Sequence, residues 1–169
     1  MIKTIFYEVF NFIYRVLIKS HKECKRKGYL KKYDIESSVN FWETTTITGH
    51  GTISIGHKTY IGKNSFISCQ DGATLEIGSN CRISHNVHIR TSSYNVNSML
   101  ENSPGTINEN IHIGDNVWIG LNVYIKGGVS IGNGSVIGAN SVVLSNVGDG
   151  EIFAGNPAKL VKELDPNED

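Results

Sequence analysis

An aliphatic residue returns at every sixth position through most of this chain: Ile55, Ile61 and Ile67; then Ile77, Ile83 and Ile89; then Ile113, Ile119, Ile125, Ile131, Ile137 and Val143. Gly follows it at Gly56, Gly62, Gly78, Gly114, Gly120, Gly132 and Gly138, and a small or β-branched residue stands four places on at Thr59, Ser65, Cys81, Val87, Val117, Val123, Ser135 and Ser141. A helix needs apolar recurrence near 3.6 and a simple strand near 2, so neither explains sixes. Short strands separated by turns do. Three such strands close a triangular coil with the aliphatic side chains inside, and successive coils hydrogen-bond about 4.8 Å apart. The spacing therefore predicts an all-β parallel helix, with small residues at the crowded corners.

Two interruptions give this frame its shape. Between Ile67 and Ile77 the chain inserts Cys69-Gln-Asp-Gly-Ala73, read as a bulged turn. Between Ile89 and Ile113 the frame survives while Tyr94 to Gly105 lacks the pattern, which predicts a loop extruded from one corner, and long loops on rigid scaffolds commonly carry function. Ile61, Ile83, Ile119 and Ile137 should then stack in one column, with Lys63, His85, Leu121 and Ala139 sharing one outward corner. The expected organisation is a basic amphipathic helix and lead-in over 1–45, the β-helix over 46–153 with its loop at 90–112, and a short C-terminal helix or tail over 154–169.

The 169 residues hold 16 basic and 16 acidic groups, which gives no global pull toward nucleic acid. Nine of the basic residues lie within 1–32 beside only Glu8 and Glu23. Apolar positions at Ile2, Ile5, Phe6, Val9, Phe10, Ile13, Val16 and Leu17 form a helical stripe ahead of the basic run from Lys19 to Lys27. That combination reads as contact with a membrane surface or as a helix docked on its own assembly. Lys3, Glu8, Asn11 and Arg15 break the stretch too often for a signal peptide or a span. Cys24, Cys69 and Cys81 are widely spaced and odd in number, which predicts neither a disulfide framework nor a zinc site and suits a cytoplasmic setting.

Residues 50 to 164 resemble the hexapeptide-repeat acyltransferases. Ile113-Gly-Asp-Asn-Val-Trp-Ile-Gly120 and Ala154-Gly-Asn-Pro-Ala-Lys159 are similar to the galactoside, maltose and related sugar O-acetyltransferases, and to acetyltransferases of polysaccharide biosynthesis. The resemblance implies a left-handed β-helix, a homotrimer with sites between subunits, and acetyl-CoA as co-substrate with no metal. It also implies that Trp118, Gly120, Leu121, Gly138 and Ala139 line the path of the coenzyme, and that Lys159 and Lys162 meet its phosphates. Leu144-Ser145 replaces the Thr-Lys pair found after the last repeat in many relatives.

Acyl transfer needs a group to take the acceptor's proton and a donor to steady the oxyanion. Ile83-Ser-His-Asn-Val-His-Ile89 resembles the segment carrying the catalytic His in lipid A N-acyltransferases, which makes His85 the expected base, and imidazole titrates near neutrality. In the galactoside and maltose enzymes the catalytic His opens the long loop, and Tyr94 occupies that place here, so Tyr94 is a second candidate as a hydrogen-bond donor. His88 is expected on a flat face, as an acceptor contact or a solvated residue. Asp71 falls near a carboxylate that binds acceptor sugar in the galactoside enzymes, with turn chemistry of Asp-Gly as its other reading.

The function expected is transfer of acetyl to a hydroxyl of a saccharide, free or lipid-linked, in surface polysaccharide or lipopolysaccharide synthesis, by a cytoplasmic enzyme peripheral to the membrane through residues 1–32. N-acetylation of an amino sugar or nucleotide sugar is the alternative. A β-helical carbonic anhydrase would need a His pair five apart where His85 and His88 are three apart, and a non-catalytic scaffold would bind no CoA.

Overall fold

In the computed structural model, described for residues 2–96, 98 and 105–164 without the side chains of Ile2, Lys3 and Ile5, the chain is a helix followed by a triangular prism of strands. The stripe positions Ile2 and Ile5, the tip of loop 90–112 and the end of the 154–169 segment lie outside the described side chains or residues. Helix α1 spans Ile2–Lys32. Face A holds β1 (Asp34–Ile35), β4 (Thr52–Ile55), β7 (Thr74–Ile77), β12 (Ile111–Ile113) and β15 (Ser130–Ile131). Face B holds β2 (Asn40–Phe41), β5 (Tyr60–Ile61), β8 (Arg82–Ile83), β13 (Trp118–Ile119) and β16 (Val136–Ile137), extended by β18 (Glu151–Gly155) and β19 (Ala158–Glu163). Face C holds β3 (Thr46–Thr48), β6 (Phe66–Ser68), β9 (His88–Arg90), β14 (Tyr124–Lys126) and β17 (Val142–Val143). Strands β10 (Ser92–Tyr94) and β11 (Thr106–Asn108) form a hairpin outside the prism. The prism is the left-handed parallel β-helix.

The sixfold pattern produces this directly. Ile61, Ile83, Ile119 and Ile137 stack in register as one column, each at most 1% exposed. A buried aliphatic side chain contributes about 1.5–3 kcal/mol, so each rung stabilises its own coil. The residues four places on close the inner corners. Thr59 Oγ1 donates to the Gly78 carbonyl at 2.7 Å and Ser135 Oγ to Gly148 at 2.6 Å, so their buried hydroxyls are satisfied by the next coil. Cys81 Sγ reaches the Gly114 carbonyl at 3.1 Å in the same way, and burial pushes its thiol pKa up, holding it as a neutral donor.

Two boundaries differ from the sequence expectation. The β-helix begins at Asp34, not at 46: β1, β2 and β3 pair in register with β4, β5 and β6, and Ile35, Phe41 and Ile47 continue the six-residue spacing downward. Phe41 breaks the aliphatic rule because this end of the prism is closed by Tyr29 of α1, whose ring centre lies 5.5 Å away. At the other end residues 154–163 form strands and no helix. Phe153 pairs with Ile137 and extends its column, and β19 folds back antiparallel on β18 through the cis Asn156–Pro157 bond.

The basic run also has a structural use. Lys25 Nζ donates to the Glu43 carbonyl at 2.9 Å, Arg26 to those of Val39 and Ser37, and Lys32 Nζ to Gly49 at 2.9 Å. Lys22 lies over the Trp42 ring. These cations cap the open end of the first coil, whose carbonyls have no further coil to meet. Ahead of them Phe6, Tyr7, Val9, Phe10, Phe12, Ile13 and Leu17 are all exposed. No helix among the described residues is long and apolar enough to cross a membrane.

Candidate active site

The periodic glycines make sense only with the turns that follow them. At the corner between faces A and B, Asp115 Oδ1 accepts the Ser79 N–H at 2.7 Å, Asn133 Oδ1 accepts that of Asp115 at 2.8 Å, and Asp149 Oδ1 that of Asn133 at 2.7 Å. Each cap comes from the coil above and folds over the Gly of the coil below. A Cβ on Gly78 would lie 2.4 Å from Asp115 Oδ1, and one on Gly132 2.3 Å from Asp149 Oδ1. Glycine is required there for space.

The corner between faces B and C has the same backbone and different side chains. His85 fills the cap position: its Nδ1 accepts the Lys63 N–H at 2.8 Å, over Gly62, whose Cβ would sit 2.5 Å from that nitrogen. The next two cap positions are Leu121 and Ala139, whose side chains have no acceptor. Turn bonds run from Asn122 N–H to the His85 carbonyl and from Asn140 N–H to Leu121, so the stacking of Lys63, His85, Leu121 and Ala139 is as the register requires. Among the described residues, no group accepts the N–H of His85, Leu121 or Ala139. Three successive rungs thus present unused backbone donors beside the exposed side chains of Leu121 and Ala139. Gly120 and Gly138 lead into this corner, and a Cβ on Gly120 would strike the Ala139 nitrogen at 2.6 Å.

The His85 hydrogen bond fixes its chemistry. A neutral imidazole that accepts at Nδ1 carries its proton on Nε2. The exposed nitrogen of His85 is therefore a donor, whereas a general base needs a free lone pair there. Three residues on, His88 stands on the outside of face C, stacked on Phe66 with ring centres 6.1 Å apart, and no described residue hydrogen-bonds its nitrogens.

The other candidates lie elsewhere on the prism. Tyr94, 64% exposed, stands on the β10–β11 hairpin at the corner between faces C and A. Asp71 shares that corner: its carboxylate is 3.8 Å from His50 Nδ1, and its carbonyl accepts the Asn108 side-chain amide at 3.1 Å. Trp118, 57% exposed, is on face B in register with Arg82, and Lys159 and Lys162 are on β19 at the end of that face. So His85, Gly120, Leu121, Gly138 and Ala139 come together, Asp71 and Tyr94 come together, and face C with His88 separates the two sets. His112, on face A, holds Glu76 Oε2 at 3.0 Å from its Nδ1. The resemblance implies backbone groups at this corner for the coenzyme arm; the lack of caps that leaves those N–H groups open has its own signal in the sequence, apolar residues where the other corner has Asp and Asn.

The prism of hexapeptide coils defines the fold class, and comparison with known proteins fixes the family. Residues 110–145 match the model described as bacterial transferase hexapeptide (six repeats), and residues 52–90 the hexapeptide repeat of succinyl-transferase. The chain is similar to a hexapeptide-repeat-containing acetyltransferase from Vibrio cholerae O1 biovar eltor, solved with acetyl coenzyme A, at 30% identity over 80% of this chain and 73% of that one, with a TM-score of 0.65. A maltose O-acetyltransferase from Clostridium difficile 630 is 25% identical over 89% of this chain and 84% of that one, with a TM-score of 0.71. A polySia-specific acetyltransferase is 31% identical over 74% of this chain, which spans 61% of that enzyme, with a TM-score of 0.60. A search of curated proteins returns no match. The chain belongs to the hexapeptide-repeat acetyltransferases and is an acyltransferase.

Proposed function

We propose that the chain transfers acetyl from acetyl-CoA to a hydroxyl of a saccharide, at the corner between faces B and C. The open ladder of N–H groups at His85, Leu121 and Ala139 carries this reading, since a pantetheine arm is a chain of amides whose carbonyls need such donors. The Vibrio enzyme was solved with acetyl-CoA, and the Clostridium relative acts on maltose. Lys159 and Lys162 stand toward the end of the prism where the coenzyme's phosphates would lie.

In this reading His85 Nε2–H donates to the thioester carbonyl oxygen and steadies the negative charge that grows there. The acceptor oxygen bonds to the carbonyl carbon, the carbon–sulfur bond breaks, and the thiolate leaves with a proton as CoA thiol. His88, whose lone pair no described residue uses, takes the hydroxyl proton and passes it to the departing thiolate. His85 as base is the second reading, favoured by its resemblance to the lipid A enzymes' histidine. Its Nδ1 bond to Lys63 opposes it.

The working unit is a homotrimer. The outer column of face C (Thr46, Phe66, His88, Tyr124, Val142) is rich in aromatic and β-branched residues and has no carboxylate, whereas that of face A is Asp34, Ser54, Glu76, His112 and Ser130. Packing face C of one copy beside the open corner of the next, with the face B groove left clear, brings His88 and Tyr94 toward that corner. Purified protein with acetyl-CoA and a mixture of oligosaccharides should release CoA thiol and form base-labile acetyl esters. Acetylation of amino groups alone would favour the N-acetyltransferase reading.

Membrane contact belongs to residues 2–18 of α1, because the cations beyond them cap the prism. Deleting residues 1–20 should abolish association with anionic liposomes and leave transfer to soluble acceptors intact. Unchanged liposome binding after deletion would contradict the assignment.

A further inference from the structure

Face B carries, below the open corner, a groove of about 660 Å³ that none of the steps above uses. Its floor is the outer column Asn40, Tyr60, Arg82 and Trp118, paired rung by rung over a length of about 14 Å at ordinary strand spacing. Lys58 and Asn80 flank it on the side of face A, and Ser84, the residue before His85, lines its other side.

The composition of this groove is one-sided. It holds two cations and no carboxylate, and neither the Arg82 nor the Lys58 side chain makes an ion pair or hydrogen bond with any described residue. The neighbouring groove on face A has the opposite character, with Asp34, Glu36 and Glu76 around His112. The formal net charge of the chain is +0, so a local arrangement and not an overall surplus puts the unpaired cations on face B. Tyr60 is held in place: its hydroxyl accepts the Trp42 Nε1–H at 2.6 Å, which keeps its ring against the face. Trp118 closes the groove where it meets the coenzyme corner.

We infer that this groove binds an anionic saccharide, one bearing carboxylate or phosphate groups, as the acceptor chain. Aromatic rings offer flat apolar surfaces to the C–H faces of sugar rings, as they do to other apolar partners. The side-chain amides of Asn40 and Asn80 suit hydroxyls. Arg82 presents the planar fork that pairs with a carboxylate or phosphate, and Lys58 adds a mobile point charge. A groove of this length seats more than one sugar unit, and its Ser84 end delivers one hydroxyl to His85. This deepens the proposed function and rests on it only for the transfer step.

Direct binding separates the two. Calorimetry on the full chain should show an oligosaccharide of hexuronic acids binding at least tenfold more tightly than a neutral maltooligosaccharide of equal length. Arg82→Gln should remove that preference while the melting temperature, the sedimentation coefficient and acetyl-CoA affinity stay unchanged. Lys58→Gln should give a smaller loss in the same direction, and a phosphate-bearing oligosaccharide run in parallel tells which anion the site favours. Equal binding of acidic and neutral chains, binding of neither, or loss of the acidic chain to competition by adenosine 3′,5′-bisphosphate would overturn the inference. Preferential binding of the acidic chain without acetyl transfer to it would leave the groove standing and contradict the acetyltransferase reading of the corner.

Discussion

The corner between faces A and B and the corner between faces B and C are built on one backbone and put to different uses. Along the first, Asp115, Asn133 and Asp149 cap the N–H groups of Ser79, Asp115 and Asn133 on three successive coils, and among the described residues the N–H of His57, lower on that corner, lacks such a cap. Along the second the caps run out after His85, and the N–H groups above it are left for something else. A repeat fold satisfies nearly all its backbone groups by repetition. Where the repetition of caps stops, backbone donors are left open to water or to a ligand.

The largest test of this contrast is at His85, where one ring both caps Lys63 and presents Nε2–H. His85→Ala should lower turnover by about 10²–10³, the usual worth of one oxyanion donor. His85→Asn places an oxygen where Nδ1 was, so its melting temperature should stay near wild type while turnover remains low. His85→Gln, whose amide nitrogen reaches toward the Nε2 position, should recover at least tenfold over His85→Ala in kcat. A Gln variant as inactive as Ala, with His88→Ala fully active, would make His85 the base and remove the donor assignment.

Exchanging the corners gives the next effect. Leu121→Asp or Ala139→Asn supplies the open ladder with the cap that the other corner has, and should weaken acetyl-CoA binding by about tenfold, the cost of one to two lost hydrogen bonds, without loss of thermal stability. The reverse change, Asp115→Ala, uncovers the Ser79 N–H and should cost about 1 kcal/mol in denaturant unfolding with acetyl-CoA affinity unchanged. Cap insertion that leaves binding untouched would mean that the coenzyme lies on another corner.

Much of this fold was legible because its signal is a period. Ile61, Ile83, Ile119 and Ile137 could be placed in one column from spacing alone, and with them the corner holding His85, Leu121 and Ala139. The first coil escaped because Phe41 is not aliphatic and no Gly follows Ile35, Phe41 or Ile47. Its pattern is altered by contact with α1, and tertiary contacts leave no mark on periodicity. The basic run suffered likewise: Lys25, Arg26 and Lys32 look like a membrane flank until the carbonyls of the first coil are seen within reach. At the site, His85 was found by register and its role expected by resemblance, yet which of its nitrogens is occupied depends on the Lys63 N–H one coil below. That contact belongs to the stack, not to the segment around His85.

A crystal structure of the protein with CoA tests most directly what fills the open corner. The pantetheine arm should run along the corner between faces B and C, with its carbonyl oxygens about 2.9 Å from the N–H groups of Leu121 and Ala139 and its sulfur toward His85. An arm seated at the corner between faces A and B, or one that leaves both of those N–H groups facing solvent, would contradict it.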